Sequence, residues 1–327
     1  MRAAVVPSPR GAWEIREVPQ PEPSFNQVLI KIHASGICYT DVHITEGALP
    51  VQFPAILGHE PVGVITALGH GVRTRRVGDR VGVPWVQATC GRCEWCLSNR
   101  PNFCRDNIGT GIGLPGGHAE YMLAFADATM LIPDALSYEQ AAPLFCAGYT
   151  VWSGLRLALP QPGERIAVVG IGGLGHLAVQ YAHAAGYETL ALTHSADKVK
   201  LVRELGADHV LADGDALKKA GGADIILATS NSNAATTDAL KGLRPDGRLM
   251  VMGFDTQPLA IPPEILMHRW RIIGSHQNDR QHLHECLDWA ARGKVKVLTE
   301  TYPLSECARA YERVEHGSAR FRAVLTP

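Results

Sequence analysis

The pattern of apolar and polar positions divides this chain into two textures. To about residue 145 the apolar residues come in short β-branched runs, QVLIKIHASGIC, GVITALG and DRVGVPW, set between turn signals such as LGHG and VGD. Short runs bounded by Gly, Pro and Asp describe strands, so an irregular, mostly antiparallel β domain is expected here. The texture changes near Tyr138, where YEQAAPLFCAGYTVWSGL carries an apolar stripe at helical spacing. From Glu164 buried runs alternate with amphipathic ones: RIAVVG, GHLAVQYAHAAG, TLALTHS, KVKLVRELGA and HVL, then ADIILATS and GRLMVMGF. Strand and helix in succession argue for an α/β fold with a doubly wound parallel sheet. After Gly274 a helix over HLHECLDWAARG and a further strand and helix are expected to pack back onto the first domain. The expected division is residues 1–145 with 280–327 in one domain and 146–279 in the other.

Composition narrows the function classes. A chain of 327 residues suits two domains. The formal net charge of −1 supplies no basic field for nucleic acid or an anionic membrane. No apolar run approaches the roughly 18 residues of a membrane span, and MRAAVVPSPRG lacks the apolar core of a signal peptide. The expectation is a cytoplasmic protein with neither nucleic-acid nor membrane partners.

Four of the eight cysteines, Cys90, Cys93, Cys96 and Cys104, fall in CGRCEWCLSNRPNFC with the spacing C-x2-C-x2-C-x7-C. Paired thiols in a reducing compartment favour metal over disulfide. Four thiolates converging at about 2.3 Å suit one tetrahedral Zn²⁺ and leave no position for substrate, so this metal is expected to be structural. An iron–sulfur cluster is the rival, but the ferredoxin run continues x3-C-P where this one continues x7-C. A zinc-ribbon-like binding module would account for these four cysteines and for nothing else in the chain.

Gly170, Gly172, Gly173, Leu174 and Gly175 form GIGGLG directly after RIAVV and before a helical run. In that context G-x-G-x-x-G marks a dinucleotide site: glycine lets the backbone approach a pyrophosphate at the helix N-terminus. About 20 residues on, an NAD-selective site places an Asp or Glu for the ribose hydroxyls. Here the strand ends in Thr193-His194-Ser195, and the first acid is Asp197. Thr193 and Ser195 can donate to a 2′-phosphate and His194 or Lys198 can add positive charge, so NADP(H) is favoured and NAD(H) remains open.

Cys38 in GICYTDVH, His59 in GHEPVG and Cys146 in PLFCAG would each pass alone as an ordinary buried residue. Together with the four-cysteine lobe and GIGGLG, they occur in the order found in zinc-dependent medium-chain alcohol dehydrogenases, which nearly the whole chain resembles. The resemblance implies a chaperonin-10 (GroES)-like β-rich catalytic domain and a Rossmann domain, with the active site in the cleft between them. It implies two Zn²⁺ per chain, the catalytic one on Cys38, His59 and Cys146, with Glu60 beside it and Asp41 orienting His59. The implied reaction is reversible hydride transfer between NAD(P) and a primary or secondary alcohol, with polyol dehydrogenases as the nearest alternative. The alcohol proton would pass from Thr40 through the nicotinamide ribose to His43. Trp85 and Leu114 would line the substrate pocket, and a homodimer or homotetramer is implied. Two positions depart from the family pattern: Tyr39 stands where a basic or imidazole group is common, and His118 where a tyrosine or phenylalanine is usual.

Overall fold

The hydrophobic run Gln27–Ile37 becomes the longest strand of a computed structural model that describes residues 1–327. A hairpin of β1 (Arg2–Val5) and β2 (Glu14–Glu17) precedes it. This long strand, β3, buries every residue but Lys31 and His33, so it serves a two-sided core. Next come α1 (Tyr39–Thr45), β4 (Pro61–Leu68), β5 (Arg80–Gly82) and β6 (Val86–Ala88). The cysteine lobe carries the single turn α2 (Glu94–Leu97) and is followed by β7 (Ile108–Gly109), β8 (Tyr121–Phe125) and β9 (Met130–Leu131). α3 (Tyr138–Ala141) and a 3₁₀ turn, Ala142–Phe145, bring the chain to Cys146.

There the first compact unit ends, and a second occupies Ala147–Lys296. It opens with α4 (Ala147–Leu157), then β10 (Arg165–Val169), α5 (Gly175–Ala184), β11 (Glu188–Leu192), α6 (Val199–Glu204) and β12 (His209–Leu211). α7 (Gly214–Lys219), β13 (Ala223–Ala228), α8 (Asn233–Ala239), β14 (Leu243–Val251), α9 (Glu264–His268), β15 (Arg271–Gly274) and α10 (Arg280–Ala291) complete it. All pairings in this sheet are parallel, in the order β12-β11-β10-β13-β14-β15. That is the doubly wound Rossmann order, with the strand-order reversal beside β10. Crossover helices cover a parallel sheet on both faces, which is why all five residues of β10 are buried.

The chain then returns to the first unit as β16 (Thr299–Pro303), α11 (Cys307–Glu315) and β17 (Arg322–Thr326). β17 pairs antiparallel with the end of β3, completing a seven-stranded sheet with β16, β4, β5, β8 and β9. Tyr302, Cys307, Ala310, Tyr311 and Leu325 join Ile37, Val42 and Ile44 in one core cluster, so the tail helps to fix β3 and α1. The return falls at Val297, whereas the sequence places it at residue 280. The reason is α10, whose Glu285 accepts a hydrogen bond from Trp152 Nε1 at 2.7 Å and whose Trp289 ring lies 4.8 Å from that of Trp152. Both contacts tie the helix to α4.

Candidate active site

Cys38 is the N-cap of α1, and its backbone N–H donates to Asp41 Oδ2 at 2.8 Å, the geometry of a capping box. One turn of helix therefore sets Cys38 at the end of β3 and Asp41 behind it. The loop before β4 supplies His59 and Glu60, and the 3₁₀ turn Ala142–Phe145 delivers Cys146. The ligand atoms of Cys38, His59, Glu60 and Cys146 lie within 4.8 Å of one another. Cys38 Sγ is 3.8 Å from Cys146 Sγ, which is 3.3 Å from His59 Nε2.

Two sulfurs each about 2.3 Å from one tetrahedral ion stand about 3.8 Å apart, so this donor set fits a zinc ion. Charge agrees with geometry. The Cys146 thiol donates to Cys38 and lowers its pKa against the cost of burial, with help from His59; the same sharing raises Cys146. Burial by itself would lower His59, but Asp41 and the Cys38 thiolate raise it well above the usual imidazole range. The cluster without metal thus holds thiol and imidazolium protons, on Cys146 and His59, that a divalent cation would displace on binding.

Glu60 is fully buried, and burial pushes its carboxyl up to about 7 against the Arg322 guanidinium that pairs with it. Arg322 also donates to the Ile37 carbonyl at 3.2 Å. The other Glu60 oxygen, Oε2, makes no hydrogen bond. A Cβ at Gly36 would stand 2.0 Å from that oxygen, so glycine in β3 is what admits the carboxylate. Thr40 Oγ1 lies 3.6 Å from Cys38 Sγ. His43 is buried, with its ring edge-on to Tyr39 at 5.0 Å. Trp85 stands edge-on to His59 at 5.1 Å. Leu114 sits half-buried in the turn after β7, its carbonyl accepting from Gly111 N–H at 2.9 Å; the cluster is built without it.

Sequence reasoning missed Arg322 and Gly36. A single arginine inside FRAVL was the available signal for the first; nothing local marks the second.

The lobe of Cys90, Cys93, Cys96 and Cys104 also brings its sulfurs within 4.8 Å of one another, with Cys93 and Cys96 3.5 Å apart. Backbone N–H groups of Cys93 and Cys90 approach Cys90 Sγ and Cys104 Sγ, each at 3.4 Å. Amides of Arg92 and Cys93 bring Cys90 down to about 6. Thiolates steadied by amides are suitable ligands for a zinc ion.

In the second unit Gly170 takes φ +85° at the end of β10, and a Cβ at Gly175 would stand 2.0 Å from the Gly170 carbonyl. Glycine there lets α5 begin against the strand, while the space about Gly172 is open. Lys198 Nζ reaches the turn and donates to the Ile171 carbonyl at 2.8 Å. Ser195 N–H donates to Thr193 Oγ1 at 3.2 Å, and His194 is exposed.

The family model for the alcohol dehydrogenase GroES-like domain matches residues 24–134, and that for zinc-binding dehydrogenases matches residues 173–292. The chain is 41% identical to an alcohol dehydrogenase of Geobacillus stearothermophilus over 334 aligned positions, 99% of either chain. It superimposes on acetophenone reductase from Geotrichum candidum in complex with NAD with a TM-score of 0.89 at 30% identity, covering 100% of this chain and 97% of the other. It superimposes on CAD from Helicobacter pylori complexed with NADP(H) with a TM-score of 0.92 at 25% identity, covering 99% and 97%. With a GroES-like domain and a Rossmann domain in one full-length match, the chain belongs to the medium-chain zinc-binding alcohol dehydrogenases.

Proposed function

We propose that this alcohol dehydrogenase interconverts small alcohols and aldehydes or ketones at the Cys38, His59 and Cys146 cluster, with NADP(H) as the preferred nucleotide. The observation that carries the reading is the convergence of two thiols and an imidazole on one buried point, with Glu60 beside them. Zinc bound there supplies Lewis acidity toward an alcohol or carbonyl oxygen.

The chain's own residues do the rest. Cys38, His59 and Cys146 hold the metal. Asp41, whose pKa burial would raise but which His118 and His59 hold well below the usual carboxylate range, orients the His59 ring. The Thr40 hydroxyl relays the substrate proton, taking it while giving up its own toward His43, and the His43 imidazole passes it on to solvent. Trp85 limits the bulk admitted beside His59. Cys90, Cys93, Cys96 and Cys104 hold a second, structural zinc.

Gly170, Gly172, Gly173, Leu174 and Gly175 offer an approach for the pyrophosphate. Thr193, His194, Ser195 and Lys198 present hydroxyls and positive charge where an NAD-selective site carries a carboxylate. Two features support a homo-oligomer: β15 is an edge of the parallel sheet, and Leu266 and Met267 just before it are each 80% exposed. No helix is long and apolar enough to cross a membrane, and all eight cysteines are free of disulfides, which supports a reducing compartment such as the cytoplasm.

Metal analysis beside NADH and NADPH oxidation with a panel of aldehydes tests the reading. Two zinc per chain and faster NADPH turnover are expected. One zinc per chain with no turnover of any aldehyde would refute the catalytic assignment.

A further inference from the structure

We propose that His118 is a positioning residue for the reaction: through Asp41 it holds the His59 ring, and with it the metal, in place. The inference rests on reading Cys38, His59 and Cys146 as the catalytic metal site. His118 comes from the segment between β7 and β8 and is fully buried. Its Nδ1 is 2.9 Å from Ser35 Oγ. Its Nε2 makes no hydrogen bond and stands 3.8 Å from Asp41 Oδ2. On the other side of Asp41, His59 Nδ1 is 3.7 Å from Oδ1. One carboxylate is thus flanked by two imidazoles, one oxygen to each, while the Cys38 and Gly58 N–H groups donate to it at 2.8 and 3.3 Å.

The ring has no freedom to turn away. A Cβ at Gly58 would stand 2.6 Å from His118 Nδ1, and Gly58 takes φ +98°, so the loop carrying His59 is shaped to admit this imidazole. Trp13 packs 5.3 Å from it, ring centroid to centroid. In the tautomer in which the Ser35 hydroxyl donates to Nδ1, the ring N–H is the one on Nε2, the nitrogen that stands 3.8 Å from Asp41 Oδ2. A phenyl ring, somewhat larger than the imidazole, would occupy the same place and offer the carboxylate no N–H. Asp41 would then answer to His59 and two amides alone, and the His59 ring would lose part of what fixes its direction.

The test compares zinc-loaded wild type with His118→Phe, His118→Gln and Ser35→Ala. Loss of zinc to excess chelator is followed with time, the visible spectrum is recorded after cobalt replaces zinc, and kcat and KM are measured separately. For His118→Phe, release of one of the two zinc ions should be about ten-fold faster or more. The cobalt bands should shift, and kcat should fall with little change in KM for the alcohol. His118→Gln, whose amide nitrogen can face Asp41, should recover most of the loss. Wild-type release and spectrum in His118→Phe would overturn the proposal, as would equal loss in the Phe and Gln variants, which would show that a polar group facing Asp41 is not what matters. Should His118→Phe not fold, Ser35→Ala decides: faster release supports the role and unchanged release overturns it. A wild-type enzyme that binds only the lobe zinc would instead refute the metal-site reading itself.

Discussion

Cys146 carries the sharpest consequence at the scale of single residues. Serine in its place keeps the size but offers an alcohol that does not ionise near neutral pH, so the ion loses one of its two soft ligands. The variant Cys146→Ser should bind about one zinc per chain. Its turnover should fall by more than the roughly 10–100-fold that losing an outer partner costs. Metal analysis and steady-state rates check both, and full zinc content with unchanged turnover would remove Cys146 from the cluster. Ser195 makes the nucleotide preference equally testable. A carboxylate a few ångströms from a 2′-phosphate near the surface repels it by roughly 2–4 kcal/mol. Ser195→Asp should therefore lower kcat/KM for NADPH by about a hundred-fold while sparing NADH; equal losses with both nucleotides would contradict the assignment. Cys38, His59 and Cys146 were legible as candidates only through the resemblance of their motifs, in this chain order and beside a four-cysteine lobe, to zinc-dependent alcohol dehydrogenases, since each alone reads as an ordinary buried residue. Arg322 was not, because its partner Glu60 lies 262 positions away. Gly36 was not either, since its reason is the Glu60 carboxylate occupying the space of its missing side chain.

Among the elements, the cysteine lobe depends most on something outside the polypeptide. Cys104 is the sole buried residue between Cys90 and Cys104, and regular structure there is limited to the single turn α2 and a short 3₁₀ turn, Pro101–Phe103. So little burial cannot offset the entropy of ordering fifteen residues, which makes the proposed metal the organising centre expected there. Mild chelation should therefore open this segment to proteases while the parallel sheet stays folded. Cleavage mapped by mass spectrometry to residues 90–104, prevented by added zinc, is the expected result; resistance of fully chelated protein would show that the lobe stands without metal. Local signals served well wherever one element decides its own form: the buried runs of β10, β11 and β13 announced a parallel sheet. They failed at α10, because its amphipathic stripe reads the same against either unit. What assigns α10 to the second unit is Trp152 on α4, whose indole meets Glu285 and Trp289.

At the scale of the whole molecule, the unpaired edge of the Rossmann sheet is the open question of assembly. β15 has β14 on one side and no strand on the other, so its backbone groups there are unpaired within the chain. Ile261, Leu266 and Met267 lie exposed in the segment leading to it. Apolar side chains beside an open edge suit a second copy approaching about a two-fold axis, each edge pairing antiparallel with its equivalent. Such an interface draws on burial of the leucine and methionine, at about 25 cal/mol per Å² of apolar surface removed from water. It has little tolerance for charge at its centre. Leu266→Asp with Met267→Asp places two carboxylates per subunit against two more across the axis. Light scattering coupled to size exclusion should then shift from a multiple of 35.3 kDa to the single chain mass. Zinc content should not change, because neither residue lies in either metal cluster. A wild-type chain already monomeric at micromolar concentration would refute the assembly. A doubly substituted chain that keeps its oligomeric mass would place the interface elsewhere on the molecule.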